Sequence, residues 1–316
     1  MDTHPQVTAL LQELIASGRP SSMSLPLAEG RRNFTELFVS LAERPDISQV
    51  RQVMVPGAAR ELPTRLYAAS PRGPLPVLLY FHGGGWVFGG AEAFDGLARS
   101  LASASGALVL TPEFRLAPEH PFPASLQDCI KAAAWVEAHA EEFGADGTRI
   151  AVAGDSSGGN LASAVTLRAR EAGRPHIEFQ LLMYPALDPS LSTASYEENA
   201  DDPFLSKAEM TWYWDRYLGP HGDRADPYAC PLNAPDLRGL PPAYIITAGH
   251  DVLRDEGEAY ALRLREAGVP VTVARYDDMV HGFLSMTRYV DTARVALTEA
   301  GRAVADAFGA PVGSES

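Results

Sequence analysis

A serine flanked at both second neighbours by glycine, Gly154-Asp155-Ser156-Ser157-Gly158, closes the short apolar run Ile150-Ala151-Val152-Ala153. This G-x-S-x-G pattern is that of a strand entering a sharp turn, which lifts a nucleophilic hydroxyl above a sheet. Asn160 to Arg168 then reads as a helix, whose N-terminus would favour negative charge beside the serine. A Gly/Ser turn of an ordinary α/β unit is the competing reading. Strand, turn and helix in the required order weigh against it.

A serine hydroxyl near neutral pH is a poor nucleophile and needs a base that a third group holds in place. In this arrangement the chain order is serine, acid, histidine, with the last two on loops after late strands. Asp251 follows the apolar run Ala243–Thr247, and His281 follows Val271–Tyr276 with Gly282 beside it. Asp255, with Glu256, competes with Asp251 for the acid, although Asp255 also reads as the N-cap of the next helix. Other histidines fit less well. His4 and His221 lie in terminal or cap segments, His139 and His176 at surface-like positions, and His120 in a proline-rich turn before the serine. His250 precedes the acid and reads as shaping its loop.

An oxyanion needs backbone N–H donors aimed at it. His82-Gly83-Gly84-Gly85-Trp86 follows the run Val77–Phe81, and its glycines leave a carbonyl free to approach the amides. Gly83, Gly84, Gly85 and Ser157 are therefore the candidate donors. Trp86 and Phe88 after this loop, Tyr184 at the end of another apolar run, and Phe34, Phe38 and Trp212 are candidate pocket walls. Plain core or cap packing is the competing reading for all six. Neither G-x-x-x-x-G-K-[ST] nor G-x-G-x-x-G is present, so a phosphate-binding loop is not indicated. Asp277, Asp278 and His281 lie close together, but no histidine pair accompanies them, and neither metal nor cofactor is expected.

Alternating apolar runs and helical patterns surround these motifs. Val50–Val55, Thr64–Ala68, Val77–Phe81, Ala107–Leu110, Phe179–Tyr184, Ala243–Thr247 and Val271–Tyr276 read as strands, together with the run before Ser156. Helical periods cover stretches near 94–103, 124–143 and 291–307, and one helix runs through Arg265. This rhythm implies an α/β fold with a mostly parallel, doubly wound sheet and a helical cap. Residues 1–45 read as N-terminal cap helices, 46–188 and 237–310 as the two parts of the core, and 189–236 as a cap insertion rich in Asp, Pro and aromatics. Residues 311–316 read as a flexible tail.

The 316 residues carry a net charge of −14, which argues against nucleic acid or an anionic membrane as partner. Hydrophobic residues make up 46% and charged residues 21%, as in an ordinary globular protein. Cys129 and Cys230 are too few for a disulfide framework. The N-terminus lacks a signal-peptide pattern and no run approaches a membrane span, so a cytoplasmic location is expected. An exposed edge strand or helix would offer a homodimer contact.

From about Val77 to Phe283 the chain resembles the bacterial hormone-sensitive-lipase-like carboxylesterases, an α/β-hydrolase family. The resemblance rests on His82-Gly83-Gly84-Gly85-Trp86, Phe114-Arg115-Leu116-Ala117-Pro118-Glu119, Gly154-Asp155-Ser156-Ser157-Gly158-Gly159, Asp251-Val252-Leu253-Arg254-Asp255-Glu256-Gly257 and His281-Gly282-Phe283. It implies Ser156, Asp251 and His281 as a catalytic triad and Gly84, Gly85 and Ser157 as oxyanion donors. It matches the N-terminal helices and part of the Pro189–Pro220 region, including Glu198-Asn199-Ala200, to the family's cap. Ser157 stands where the family usually has alanine, Phe114 where it often has tyrosine, and Val252 where it commonly has proline. The implied activity is cofactor-free hydrolysis of small carboxylic esters, short to medium in acyl chain, through an acyl-enzyme. An amidase or N-formyl/acetyl hydrolase would use the same groups. A non-catalytic small-molecule receptor is the remaining alternative, since the gibberellin receptors resemble this family without the working histidine.

Overall fold

The structure, a computed structural model, describes residues 2–70 and 72–309. Eight strands are present: β1 (Gln49–Pro56), β2 (Glu61–Ala68), β3 (Leu75–Phe81), β4 (Leu108–Pro112), β5 (Ala145–Asp155), β6 (Phe179–Met183), β7 (Ala243–His250) and β8 (Val271–Val280). They form one sheet in the order β1-β2-β4-β3-β5-β6-β7-β8. β2 pairs antiparallel with both β1 and β4, and every later pairing is parallel. The central strands are continuous apolar runs because both faces are covered. Along β3, for example, Val77, Leu79 and Phe81 enter one core cluster while Leu78 and Tyr80 enter the other.

Nine α-helices are described: α1 (Pro5–Ala16), α2 (Leu27–Leu41), α3 (Asp95–Ser105), α4 (Ala124–His139), α5 (Ser157–Ala172), α6 (Ala194–Glu198), α7 (Lys207–Leu218), α8 (Arg254–Glu266) and α9 (Asp291–Ala307). Leu97 and Leu101 of α3 share a core cluster with Leu297 and Val304 of α9 on one face of the sheet. Cys129 and Val136 of α4, Leu161 and Val165 of α5, and Tyr260 and Leu264 of α8 fill the opposite cluster. The sheet with its two helical layers thus follows the strand–helix rhythm of the sequence. The expected tail at 311–316 lies outside the described residues.

Between β6 and β7, where the chain departs from that rhythm, lie α6 and α7. Ser206 and Glu209 start α7 with a reciprocal capping box, the Ser206 Oγ accepting from the Glu209 N–H while the Glu209 carboxylate accepts from the Ser206 N–H. α2 is fastened to the core by Arg31, whose guanidinium donates to the Val87 carbonyl at 2.9 Å, the Ala117 carbonyl at 3.0 Å and both Glu119 oxygens at 2.7 Å. Such a forked set of acceptors suits the fixed geometry of arginine.

Candidate active site

Ser156 stands between the end of β5 and the start of α5 with φ 55° and ψ −120°, a strained backbone that projects its hydroxyl away from the sheet. The flanking glycines do not themselves carry the turn's positive φ. They permit close approach: a Cβ on Gly154 would overlap the Gly158 carbonyl, and one on Gly158 would overlap the Phe81 carbonyl. The Ser156 N–H donates to the Met183 carbonyl at 2.9 Å, so the elbow is anchored to the neighbouring strand.

His281, just after β8, places Nε2 3.0 Å from Ser156 Oγ and Nδ1 2.7 Å from Asp251 Oδ2. Asp251 is fully buried, and its Oδ1 accepts from the Leu253 N–H at 2.8 Å. The imidazole therefore lies between a hydroxyl and a fixed carboxylate, with the edge of Tyr184 packed against it at 4.9 Å between ring centroids. Asp255 points elsewhere. Its Oδ2 accepts from the Ser195 N–H at 2.7 Å, tying α8 to α6, and it sits inside the first turn of α8 while Leu253 is the N-cap. The expected N-cap role of Asp255 is thus corrected, because its carboxylate is drawn to a tertiary partner. Glu256 is buried and accepts from the Leu187 N–H at 2.7 Å. Burial pushes its carboxyl well above the usual range.

The glycine loop after β3 faces the serine. The N–H groups of Gly84 and Gly85 find no acceptor among the described residues, and the Ser157 N–H opens α5 as one of the unpaired donors of a helix start. Gly83 differs. Its N–H donates to Asp155 Oδ1 at 2.8 Å, so it is corrected out of the donor set. The sequence could not show this, because the competing carboxylate arrives from another strand.

Asp155 also accepts from the Tyr80 hydroxyl at 2.6 Å. Complete burial pushes its carboxyl up to about 6 against those hydrogen bonds. A carboxyl raised in the folded state adds stability below the ordinary carboxylate range, and that contribution is lost as pH rises through about 6. Asp155→Asn removes the titration. Between pH 4 and 7 the variant is therefore expected to gain roughly 2 kcal/mol relative to wild type in chemical denaturation. A pH-independent difference between the two proteins would contradict this.

A cavity of about 330 Å³ opens onto Ser156, His281, Gly84 and Gly85. Phe34, Leu37 and Phe38 of α2, Leu11 and Leu14 of α1, and Phe94, Phe204 and Tyr213 supply apolar walls. Phe34 and Phe38 are thus where the sequence suggested. Trp86, Phe88, Tyr184 and Trp212 are not on this wall, and their expected roles are corrected. Trp86 is buried against Tyr217, with ring centroids 4.1 Å apart, and Tyr184 backs His281. Phe88 and Trp212 stack on each other behind Phe34. Tyr213, an aromatic of the cap insertion not among the pocket candidates, reaches the site instead, its ring occupying the space where Gly85 lacks a Cβ.

Among the described residues, no cluster of His, Cys, Asp or Glu could hold a metal ion. The constellation present is a hydroxyl, an imidazole, a carboxylate and free amides, which is the equipment of acyl transfer.

Comparison with known proteins agrees with that chemistry. Residues 78–285 match a family described as having the alpha/beta hydrolase fold. The carboxylesterase NlhH of Mycobacterium tuberculosis is 44% identical over 75% of this chain and 75% of its own length. The arylesterase of Saccharolobus solfataricus is 32% identical over 98% of this chain and all of its own. Among solved structures, the ester hydrolase EH1AB1 from the metagenome of Lake Arreo, complexed with a bipyridine phosphonate derivative, superposes with a TM-score of 0.93 at 42% identity, covering 97% of this chain and 99% of that one. The chain belongs to the carboxylesterases of the α/β-hydrolase fold, the family related to hormone-sensitive lipase.

Proposed function

We propose that this protein is a serine carboxylesterase in which Ser156 is the nucleophile, His281 the general base and Asp251 the group that orients it. The observation that carries this reading is the continuous relay from Ser156 Oγ through His281 to Asp251, at 3.0 and 2.7 Å, on the floor of an apolar cavity. His281 takes the Ser156 proton as Oγ attacks the ester carbonyl, and Asp251 stabilises the resulting imidazolium. The oxyanion rests on the N–H groups of Gly84, Gly85 and Ser157. His281 then protonates the departing alcohol. The same histidine activates water to release the acid and restore the serine. Residues 1–45 and 189–236 act as the cap, since both contribute walls to the cavity above Ser156.

A short to medium acyl chain fits this space. Each methylene buried against the apolar wall contributes about 0.8 kcal/mol until the chain reaches the end of the cavity. In a p-nitrophenyl ester series from acetate to palmitate, kcat/KM is expected to peak at about C4–C8. A maximum at C12 or beyond would contradict a closed acyl pocket. Matched esters and amides distinguish the esterase from an amidase of the same triad, with turnover of the ester expected to dominate. Cytoplasmic residence and homodimer formation complete the reading. In their support, no described helix is long and apolar enough to cross a membrane, and β8 leaves one edge of the sheet unpaired.

A further inference from the structure

The loop that carries the candidate oxyanion donors is fastened at both ends by the two chain neighbours of Ser156. At its start the Gly83 N–H donates to Asp155 Oδ1 at 2.8 Å. At its end the Trp86 N–H donates to Ser157 Oγ at 3.2 Å. The N–H groups of Gly84 and Gly85 lie between these two anchors, with no acceptor of their own among the described residues. Residues 155 and 157 thus spend their side chains on the loop while residue 156 presents its hydroxyl to the cavity.

The second anchor has work to do. Trp86 holds φ 61°, a left-handed backbone that a residue with a Cβ adopts only when its surroundings enforce it. Its ring is stacked on Tyr217 and packed against Trp214, and its carbonyl accepts from the Ala117 N–H at 2.9 Å. The Trp86 N–H is the remaining polar backbone group, and the Ser157 hydroxyl is what satisfies it. Both residues are 1% exposed, so bulk water does not stand ready to replace that acceptor. Alanine at position 157 would leave a buried N–H unpaired at the hinge of the donor loop.

We propose that the Ser157 hydroxyl is a positioning group that holds the oxyanion loop in register with the nucleophile, separately from the oxyanion contact of its own N–H. This rests on the reading of Ser156 as the acylated nucleophile. Oxyanion donors must sit about 2.7–3.1 Å from the developing charge, so a loop loosened by even a few tenths of an ångström weakens transition-state binding more than substrate binding.

The test compares wild type with Ser157→Ala and Ser157→Thr. With p-nitrophenyl butyrate, Ser157→Ala is expected to lower kcat about fivefold to tenfold while KM stays within about twofold. A trifluoromethyl ketone, which forms a hemiketal with an oxyanion, should bind the alanine variant weaker by the same factor, whereas butyrate as product inhibitor should not. The Trp86 amide should exchange its hydrogen faster in the alanine variant. Ser157→Thr, which keeps the hydroxyl, should recover kcat and ketone affinity. Unchanged kcat and ketone affinity in Ser157→Ala would overturn the proposal, as would an equal loss of butyrate affinity. Melting temperature and fluorophosphonate labelling of each variant separate misfolding from loop displacement. If alanine melts like wild type yet loses ketone affinity, the positioning role stands, and if it loses ketone affinity only in proportion to an unfolded, unlabelled fraction, the proposal falls. Failure of wild type itself to label at Ser156 would instead remove the esterase reading on which the proposal rests.

Discussion

Ser156→Ala is expected to lower kcat by about 10⁴-fold or more, leaving only the residual rate that an oxyanion hole and substrate binding supply. Ser156 is 9% exposed, at the base of the cavity, and its hydroxyl hydrogen-bonds with His281 Nε2 at 3.0 Å. Deleting it removes the atom that would form the acyl bond and leaves every wall of the pocket in place. KM should accordingly move little, and the fold should melt at about the wild-type temperature. Steady-state kinetics on a p-nitrophenyl ester check this. A variant with turnover within tenfold of wild type would mean that another group attacks the ester.

Loss of the base or its orienting acid should be nearly as damaging. His281→Ala and Asp251→Asn are each expected to reduce kcat by roughly 10⁴-fold with much smaller changes in KM. Asp251 is fully buried, and one oxygen accepts from the Leu253 N–H while the other faces His281 Nδ1. An asparagine there would turn either an oxygen or an NH₂ toward the imidazole. The NH₂ orientation favours the tautomer that carries its proton on Nε2, where it cannot accept from Ser156. Asp255→Asn serves as the contrast, because its carboxylate holds the Ser195 N–H of α6 and the Arg254 side chain, away from the imidazole. Its kcat should remain within about tenfold of wild type. A crippled Asp255→Asn beside a healthy Asp251→Asn would reverse the assignment.

Much of this arrangement is legible in the residues themselves. β3, β7 and the Ile150–Ala153 part of β5 are apolar on both faces because helices cover both, and such runs stand out without any alignment. Each is followed at its carboxyl end by a motif of the candidate site, so finding the strand also finds the loop. α9 begins at Asp291 and ends at Ala307, the span its periodicity predicts.

What stayed hidden depends on approach between distant segments. On α7, Trp212 and Tyr213 are equally aromatic, and about 100° of helical rotation separates them. Tyr213 enters the cavity, while Trp212 turns to Phe88 with the Arg216 guanidinium 3.5 Å from its ring centroid. Composition cannot choose between such neighbours, since the choice belongs to the packing of α7 against Phe88 and the glycine loop. Gly83 and its sister glycines are likewise identical in type, and only the Asp155 carboxylate distinguishes its N–H from theirs. Asp255 resembles a helix cap locally, but Ser195, sixty residues earlier in the chain, supplies the N–H that claims it.

The most direct test of the account is the site of covalent modification. Intact protein treated with a fluorophosphonate and digested should yield one phosphonylated peptide, with the adduct on Ser156 Oγ. Ser156→Ala should yield none. The adjacent Ser157 is a stringent internal control, because it shares the same peptide and also carries a hydroxyl, held against the Trp86 N–H. Stoichiometric labelling at Ser156 with parallel loss of ester turnover is the predicted result. An adduct on Ser157, or full esterase activity in protein labelled at Ser156, would contradict it.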